Sequence, residues 1–372
     1  MDTMKDIFSE LETEQAYDGY FYNVGEIITI VILGSICGLR SIKQIHQWAT
    51  SERISEFLKE KFEISRIPCY YWFICLMKMV KPQSLNTCFT KWVMNFLPDD
   101  MSGQTLSLDG KTVRSTAKMK SYESPLHIVS AQLGKLGLTF GQKSVGGKSN
   151  EIPAVQALLE ELEIAGCMVV ADALNCQKET ARIIVDGRAD YLLSVKDNQP
   201  SLKANLEEYV QDATLRLGME TAQTKEKSRN RIETRTAFVG YDVSWIPNAG
   251  DWKKLACFGA IRTKIKTNNA ETCEWHYYVS SRKLTAEEML MHARTEWSVE
   301  SMHWLLDVHF EEDFCRVEDK NVQQNLNMAR KIALNSIKLY RQKVSSKRPL
   351  SNIMFDCLLD CNKILNITRF ET

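Results

Sequence analysis

Residues Leu106 to Arg114, "LSLDGKTVR", decide how the rest of the chain is read. A short apolar run ends on Asp109, and Lys111 and Arg114 follow it. Asp-Gly between strand-like runs is a strong hairpin signal, so one reading is a turn. The other is a strand that carries a carboxylate to the lip of a sheet, with cations beside it. The sequence downstream bears on the choice. After "TLSLD" come "HIVSAQLGK" and "LTFGQKSV", then a helical "IPAVQALLEELEI", a strand "CMVVAD", a helix "CQKETARIIVD" and a strand "DYLLSVK". Three strands followed by alternating helix and strand predict an α/β fold, a mixed sheet with helices packed on it.

Outward from this centre the texture changes. Residues 1–100 alternate apolar helical patterns with short polar breaks and read as an all-helical N-terminal domain, with Ser41 and Ser51 placed as helix N-caps. Residues 101–200 form the first part of the sheet-bearing core. A helix near Ser201 to Leu217, the charged "KEKSRNRIETRT" and three strand-like runs make residues 201–283 an inserted, largely antiparallel β unit. Residues 284–345 return to long helices, opened by a capping box of Thr285 and Glu288, and residues 346–372 are left as a C-terminal tail.

The totals exclude some classes of function. Among 372 residues, Lys+Arg and Asp+Glu are both 47, so any affinity for nucleic acid rests on local clustering. Clusters exist: seven Lys or Arg against one acid from Gly110 to Ser149, and seven against none from Val322 to Arg348. Eleven cysteines without a CxxC pair argue for free thiols in a reducing cytosol, and against a disulfide framework or structural zinc. The most apolar stretch, "IITIVILGSICGL" from Ile27 to Leu39, is too short to span a bilayer and reads as a core helix.

Functional groups in α/β sheets collect at the carboxyl ends of strands, where Asp109 and Asp172 both fall. Two carboxylates brought close are costly unless a divalent cation neutralises them, and hard oxygen ligands suit Mg²⁺ or Mn²⁺. The helix "AEEMLMHARTEWSVESMHWLLDVHFEED" offers a third acid: at helical spacing Trp297, Glu300, Trp304 and Asp307 share a face expected to pack on the sheet. Glu300 and His303 also form an ExxH pair, but a di-iron site needs two such copies and only one exists. A rival site is the Gly-rich loop ending in Lys148 and Ser149, in the strand-loop-helix context of a nucleotide-binding P-loop. Its spacing fails, because Gln142 stands where the pattern requires Gly. The plainer reading there is an N-cap by Ser149 or Asn150 with Pro153 in the first turn.

The set "LSLDGKTVR", "GGKSNEIPA", "VVADALNCQ", "YLLSVKDNQ", "NRIETR" and "EWSVESMHWLLDVHFEED" resembles, in order and spacing, the insertion-sequence DDE transposases of the H-repeat-associated (Rhs-element) branch. The resemblance runs from roughly residue 5 to residue 345. It implies an RNase H-like core in which three acids hold two Mg²⁺ or Mn²⁺ ions, and carried over residue by residue these are Asp109, Asp172 and Glu300. It also implies a partner, DNA, both the terminal inverted repeats and the target, with a homodimer forming on it, in the cytoplasm close to the nucleoid. Lys111, Arg114, Lys148, Lys196 and Asn198 are then candidates to hold phosphates near the acids.

Further out, Arg231 and Arg235 flank Glu233 on one side of a strand, and Arg330 and Lys331 belong to a basic helix; all four are DNA-binding candidates, as is "SIKQIHQWAT" as a recognition helix. The family's pattern has His-Trp before and Asn after its catalytic Glu, where this chain has Glu296 before Trp297 and Ser301 after Glu300. Alternatives to a transposase are a related DNA-binding protein without catalysis and, more remotely, a P-loop NTPase.

Overall fold

The computed structural model describes residues 8, 10–14, 21–119, 125–134, 137–145, 151–228, 231–268 and 270–368; for Lys118 and residues 296–300 it describes the backbone alone. Among the described residues five helices come first: α1 (Val24–Ile36), α2 (Ile42–Ala49), α3 (Glu52–Phe62), α4 (Tyr70–Met79) and α5 (Pro82–Met94). Helix α1 is the apolar stretch noted above. It buries every residue except Glu26, and no helix among the described residues is long and apolar enough to cross a membrane. Ser41 caps α2 in a reciprocal box with Gln44, whereas Ser51 stands at the N-cap of α3 but turns its hydroxyl back to the Trp48 carbonyl.

The core follows as β1 (Thr105–Thr112), β2 (His127–Leu133), β3 (Leu138–Val145), α6 (Glu151–Glu161), β4 (Met168–Ala171), α7 (Lys178–Asp186) and β5 (Asp190–Val195). Next come α8 (Pro200–Gln211), α9 (Ala213–Leu217), β6 (Glu220–Ser228), β7 (Arg231–Gly240), β8 (Cys257–Thr267) and β9 (Glu271–Ser280). The chain closes with α10 (Ala286–Phe310), α11 (Lys320–Lys343), α12 (Leu350–Leu359) and α13 (Asn362–Thr368). The expected fold class, a mixed α/β architecture with helices before it, is the one found.

The nine strands of the described residues form one sheet in the order β3-β2-β1-β4-β5-β9-β8-β7-β6. β1, β4 and β5 run parallel at its centre, and the remaining neighbours are antiparallel. Two features differ from the sequence reading. The strands of residues 201–283 are continuous with the core, because β9 pairs with β5 from Leu192↔Ser280 to Val195↔Tyr277. The charged "KEKS" lies within a fourth strand of that unit, β6, which is almost wholly exposed. An edge strand open to water on both faces has no apolar alternation to betray it, and its lysines guard against further pairing.

β4 shows why this sheet reads as it does. Val169 and Ala171 face the main core, while Met168 and Val170 face a second cluster with Leu284, Met289, Leu290 and Ala293 around α10. A strand buried on both faces reads as an unbroken apolar run. By the same alternation Leu106 and Leu108 of β1 face the main core, so Ser107 and Asp109 face α10. The N-terminal helices join that main core through α11, which packs on α1, α4 and α5. Asn325 of α11 donates its amide to the carbonyls of Met77 and Val80, each at 2.9 Å. The expected C-terminal tail holds α12 and α13, and α13 packs on α11.

Candidate active site

Asp-Gly at 109–110 is not a turn. β1 continues through it to Thr112, with Asp109 opposite Ser130 and Gly110 opposite Val129 on β2. On its other side β1 pairs in parallel with β4, and the last couple is Leu108↔Ala171. Asp109 and Asp172 are each the next residue: Asp109 lies within β1 just past its last pair with β4, and Asp172 is the first residue beyond β4, on neighbouring strands about 4.8 Å apart. Asp109 is about one-third exposed at its side chain, and its Oδ1 accepts from the Gly110 N–H at 2.8 Å. Asp172 leaves the sheet and caps the 3₁₀ turn Ala173–Asn175, its Oδ1 accepting from Asn175 N at 3.2 Å and Asn175 Nδ2 at 2.8 Å.

α10 runs beside β1 in the same direction, and side chains mark the alignment. Thr105 Oγ1 meets His292 Nδ1 at 2.8 Å, Ser107 Oγ donates to the Thr295 carbonyl at 3.0 Å, His303 Nε2 lies 3.6 Å from Asp109 Oδ2, and Lys111 Nζ binds Asp307 Oδ1 at 2.5 Å. Fifteen helical residues and six strand residues both advance roughly 20–22 Å, so helix and strand stay in step. Glu300 falls between the Ser107 and Asp109 levels of this alignment; its side chain, with those of Glu296 and Trp297, lies outside the described residues. The expected packing face needs correction. Trp304 is 61 % exposed, and the buried stripe near the site is Met302, Leu306 and Phe310.

The cations separate sharply. Lys111 is buried among carboxylates, 2.5 Å from Asp307, 3.0 Å from Glu312 Oε2 and 3.7 Å from Asp313. Burial opposes its charge, yet Glu312 and Asp307 hold its pKa above the usual lysine value. Glu312 is fully buried; burial works to raise its pKa, but Lys111, Lys331 and Arg330 outweigh that and keep it below the usual range. Lys111 is therefore an internal counter-ion, not an exposed phosphate ligand. Arg330 and Lys331 are corrected in the same way, each 1 % exposed. Arg330 donates to the Arg40 carbonyl at 2.8 Å.

Lys331 Nζ donates to Ser130 Oγ at 2.7 Å and Gln142 Oε1 at 2.6 Å, the two residues that continue the cross-strand row from Asp109. Burial pushes the Lys331 pKa down to about 7. The helical period that suggested a solvated basic face is real, but α11 is covered by α1 and by the sheet edge on that side. Arg235 is likewise no free edge cation: its guanidinium is enclosed by Glu233 and by Glu226 at 3.7 Å, and Arg231, half-exposed, shares Glu233 at 2.8 Å. Arg114 is 86 % exposed with Asp313 3.6 Å away, and Lys196 is exposed beside the end of β5. Asn198 donates its amide to the Ala173 and Cys176 carbonyls, bracing the loop that follows Asp172. Lys148 lies outside the described residues, as do Ser149 and Asn150.

Several residues at the site escaped the sequence reading. His303, weighed only as a di-iron ligand, stands beside Asp109 with neither ring nitrogen hydrogen-bonded among the described residues. Burial drives its pKa down to about 3, so it meets the carboxylate as a neutral imidazole. On the opposite face of β1, His127 Nε2 pairs with Glu151 Oε2 at 2.8 Å, both buried, and Glu151 Oε1 lies 3.4 Å from Asn175 Nδ2. The signals were present in "SNEIPA" and "ADALN", but an acid in a first helical turn and an Asn three residues after an Asp are common for capping reasons alone.

Two carboxylates that each follow the last pair of neighbouring parallel strands, with a neutral imidazole beside one of them, form a donor set that fits hard divalent cations. Among the described residues no three His, Cys, Asp or Glu side chains already converge, so that fit rests on the carboxylate pair.

A profile of the family described as "Transposase DDE domain" matches residues 100–336, a span that holds all three acids. A second, described as "DDE_Tnp_1-associated", matches residues 5–93. "Putative transposase YncI" of Escherichia coli O157:H7 is 29% identical over 85% of this chain and 82% of its own length. "H repeat-associated putative transposase YhhI" of Escherichia coli K12 is 30% identical over 84% of each chain, and "Putative protein YbfL" of the same strain is 31% identical over 84% of each.

Proposed function

Because this chain belongs to the transposase DDE domain family, we propose that it cuts DNA at the terminal inverted repeats of an insertion sequence and joins the freed ends to target DNA. The observation that carries this reading is that Asp109 and Asp172 each follow the last pair, Leu108↔Ala171, of two neighbouring parallel strands, alongside the helix that bears Glu300. The family is in general dependent on divalent metal. A pair of Mg²⁺ or Mn²⁺ ions bound there supplies the charge that stabilises the attacking and leaving oxygens of a phosphodiester.

The protein's own groups do the rest. Asp109, Asp172 and Glu300 would hold the ions, Asp109 as the shared ligand and Asp172 and Glu300 as ligands of one ion each. Water attacks the phosphodiester at the element's end and displaces its 3′-oxygen, which leaves as a 3′-hydroxyl; that hydroxyl then attacks a target phosphodiester and displaces the target's own 3′-oxygen, so no covalent bond to protein is needed. His303, neutral, closes the floor beside Asp109 without competing for the phosphate's charge. Lys111 offsets one of the charges of Asp307 and Glu312 and so reduces their repulsion toward an approaching polyanion. Arg114, Lys196 and Arg231 keep exposed charge and contact phosphates on either side. Two DNA ends per element call for two copies of the chain on one complex. All eleven cysteines are free thiols, in keeping with a cytoplasmic site of action beside the chromosome.

The test is strand cleavage by the full chain on duplexes ending in the element's own flanking repeats, with Mg²⁺, with Mn²⁺ and with chelator. Metal-dependent nicking at the repeat boundary, lost in Asp109→Asn with DNA binding retained, is the expected result. Cleavage that survives chelation or that substitution would overturn it. Glu296 and Ser301 favour one second reading, a repeat-binding protein without catalysis, for which binding is normal and no metal yields a nick.

A further inference from the structure

Asp172 lies beyond the end of its strand, on a 3₁₀ turn, where backbone pairing no longer dictates where its carboxylate points. What holds it is Asn175, whose side chain is fully buried. The Nδ2 group sits 2.8 Å from Asp172 Oδ1 and 3.4 Å from Glu151 Oε1, so the amide offers its two hydrogens to two carboxylates. Its carbonyl oxygen is buried with no hydrogen-bond partner among the described residues. A buried acceptor left unpaired is an expense that core asparagines seldom carry, and here it accompanies an amide aimed at two acids.

Glu151 is itself 3 % exposed, in the first turn of α6, and its other oxygen meets His127 Nε2 at 2.8 Å. His127 Nδ1 then meets Thr112 Oγ1 at 2.9 Å, across the Thr112↔His127 couple of β1 and β2. The imidazole–carboxylate pair presses on the backbone next to Asp109. A Cβ at Gly110 would lie 2.3 Å from His127 Nε2 and 2.7 Å from Glu151 Oε2. One continuous set of contacts, Thr112, His127, Glu151, Asn175, Asp172, therefore joins the strand of the first acid to the carboxylate of the second, passing behind the sheet on the side away from α10.

We propose that the buried His127–Glu151 pair, acting through Asn175, is a positioning device that orients the Asp172 carboxylate and sets its spacing from Asp109 for divalent-metal binding. None of the three touches the reacting atoms. The inference rests on the metal-dependent reading above and adds to it a second layer of residues. Outer partners of metal ligands are worth about 10–100-fold in metal affinity or activity.

The experiment measures Mn²⁺ binding by the full-length chain, from the electron paramagnetic resonance signal of free Mn²⁺, in four proteins: wild type, Asp172→Asn, Glu151→Gln and Asn175→Ala. Glu151→Gln keeps the shape of the side chain; with its oxygen still serving His127, its amide would face that of Asn175, donor to donor. Asn175→Ala removes the bridge and leaves the His127–Glu151 pair intact. Expected is a Mn²⁺ affinity about 10–100-fold weaker in both Glu151→Gln and Asn175→Ala, with thermal unfolding and far-ultraviolet circular dichroism close to wild type, and a cleavage rate that recovers as Mn²⁺ is raised. If Asp172→Asn abolishes Mn²⁺ binding while both other variants fold and bind within twofold of wild type, the positioning inference falls and the metal site stands. If Asp172→Asn leaves Mn²⁺ binding unchanged, the metal reading falls and takes the inference with it. Unfolding of both outer variants would make the set a structural prop and also overturn it.

Discussion

Replacing Lys111 by Ala separates two roles that the sequence alone would merge. As a phosphate ligand, Lys111 would contribute to DNA affinity and little to folding. In the structure its ammonium is 2.5 Å from Asp307 Oδ1 and 3.0 Å from Glu312 Oε2, and Glu312 is 1 % exposed at its side chain. Removing the cation leaves two carboxylates facing each other across its former place. At a separation of about 5 Å and an effective dielectric near 20, their repulsion is about 3 kcal/mol. Breaking a buried pair from one side generally costs about 3–5 kcal/mol. Lys111→Ala should therefore lower the unfolding free energy by roughly 3–5 kcal/mol, read from the urea midpoint at constant slope. Lys111→Met with Glu312→Gln and Asp307→Asn removes the charges together and should recover a large part of that loss, through coupling of at least about 1.5 kcal/mol. A loss under about 1 kcal/mol, with the salt dependence of DNA binding reduced by the equivalent of about one phosphate contact, would refute the counter-ion argument and restore the sequence reading.

Three further outcomes follow from the same geometry. Gly110→Ala drives a methyl into His127 and Glu151, and should cost about 1–3 kcal/mol by overpacking; a urea midpoint equal to wild type would show that the pair is free to move aside. Trp304→Ala should change stability by no more than about 0.5 kcal/mol, since the ring is 61 % exposed; a larger loss by the same denaturation would mean that the face packs after all. His292 is buried, and burial holds its pKa down at about 4 against an ordinary 6.5. The unfolded chain takes up this proton near pH 6.5 and the folded chain only near 4, so stability rises with pH across that window and is lost as pH falls through it. At pH 5 the difference is about 2 kcal/mol. His292→Gln should therefore lose less stability than wild type between pH 7 and pH 5; parallel losses in the two denaturation series would contradict this.

The division between what the chain states locally and what folding adds runs through individual residues. Periods of two and of 3.6 are local properties, so "CMVVAD", "DYLLSVK", the apolar helix near residue 30 and the capping box of Thr285 with Glu288 could all be read without coordinates. The same locality suggested strand ends for Asp109 and Asp172; Asp172 does follow the end of β4, whereas β1 runs on past Asp109 to Thr112 because β2 goes on pairing with it. It failed wherever a second element decides. β6 carries no alternation, since an edge strand has no buried face to specify. The continuity of its unit with the core sheet depends on a pairing between residues 192–195 and 277–280, far apart in the chain.

Charge was the least legible property of all. Lys111, Arg235, Arg330 and Lys331 look alike in sequence to Arg114, yet the first four are enclosed and the last is open to water. What a cation does depends on which carboxylates and which solvent surround it, and both are supplied by packing. His127, Glu151 and Asn175 make the same point from the other side. Residues 24 and 48 positions apart become one set of contacts behind Asp109 because two strands, a helix and a turn converge there. The sequence alone determined most of the elements and the two acids that follow apolar strand runs; only the tertiary structure decided which charges face the solvent and which are spent on holding one another, because that depends on distances that no local pattern encodes.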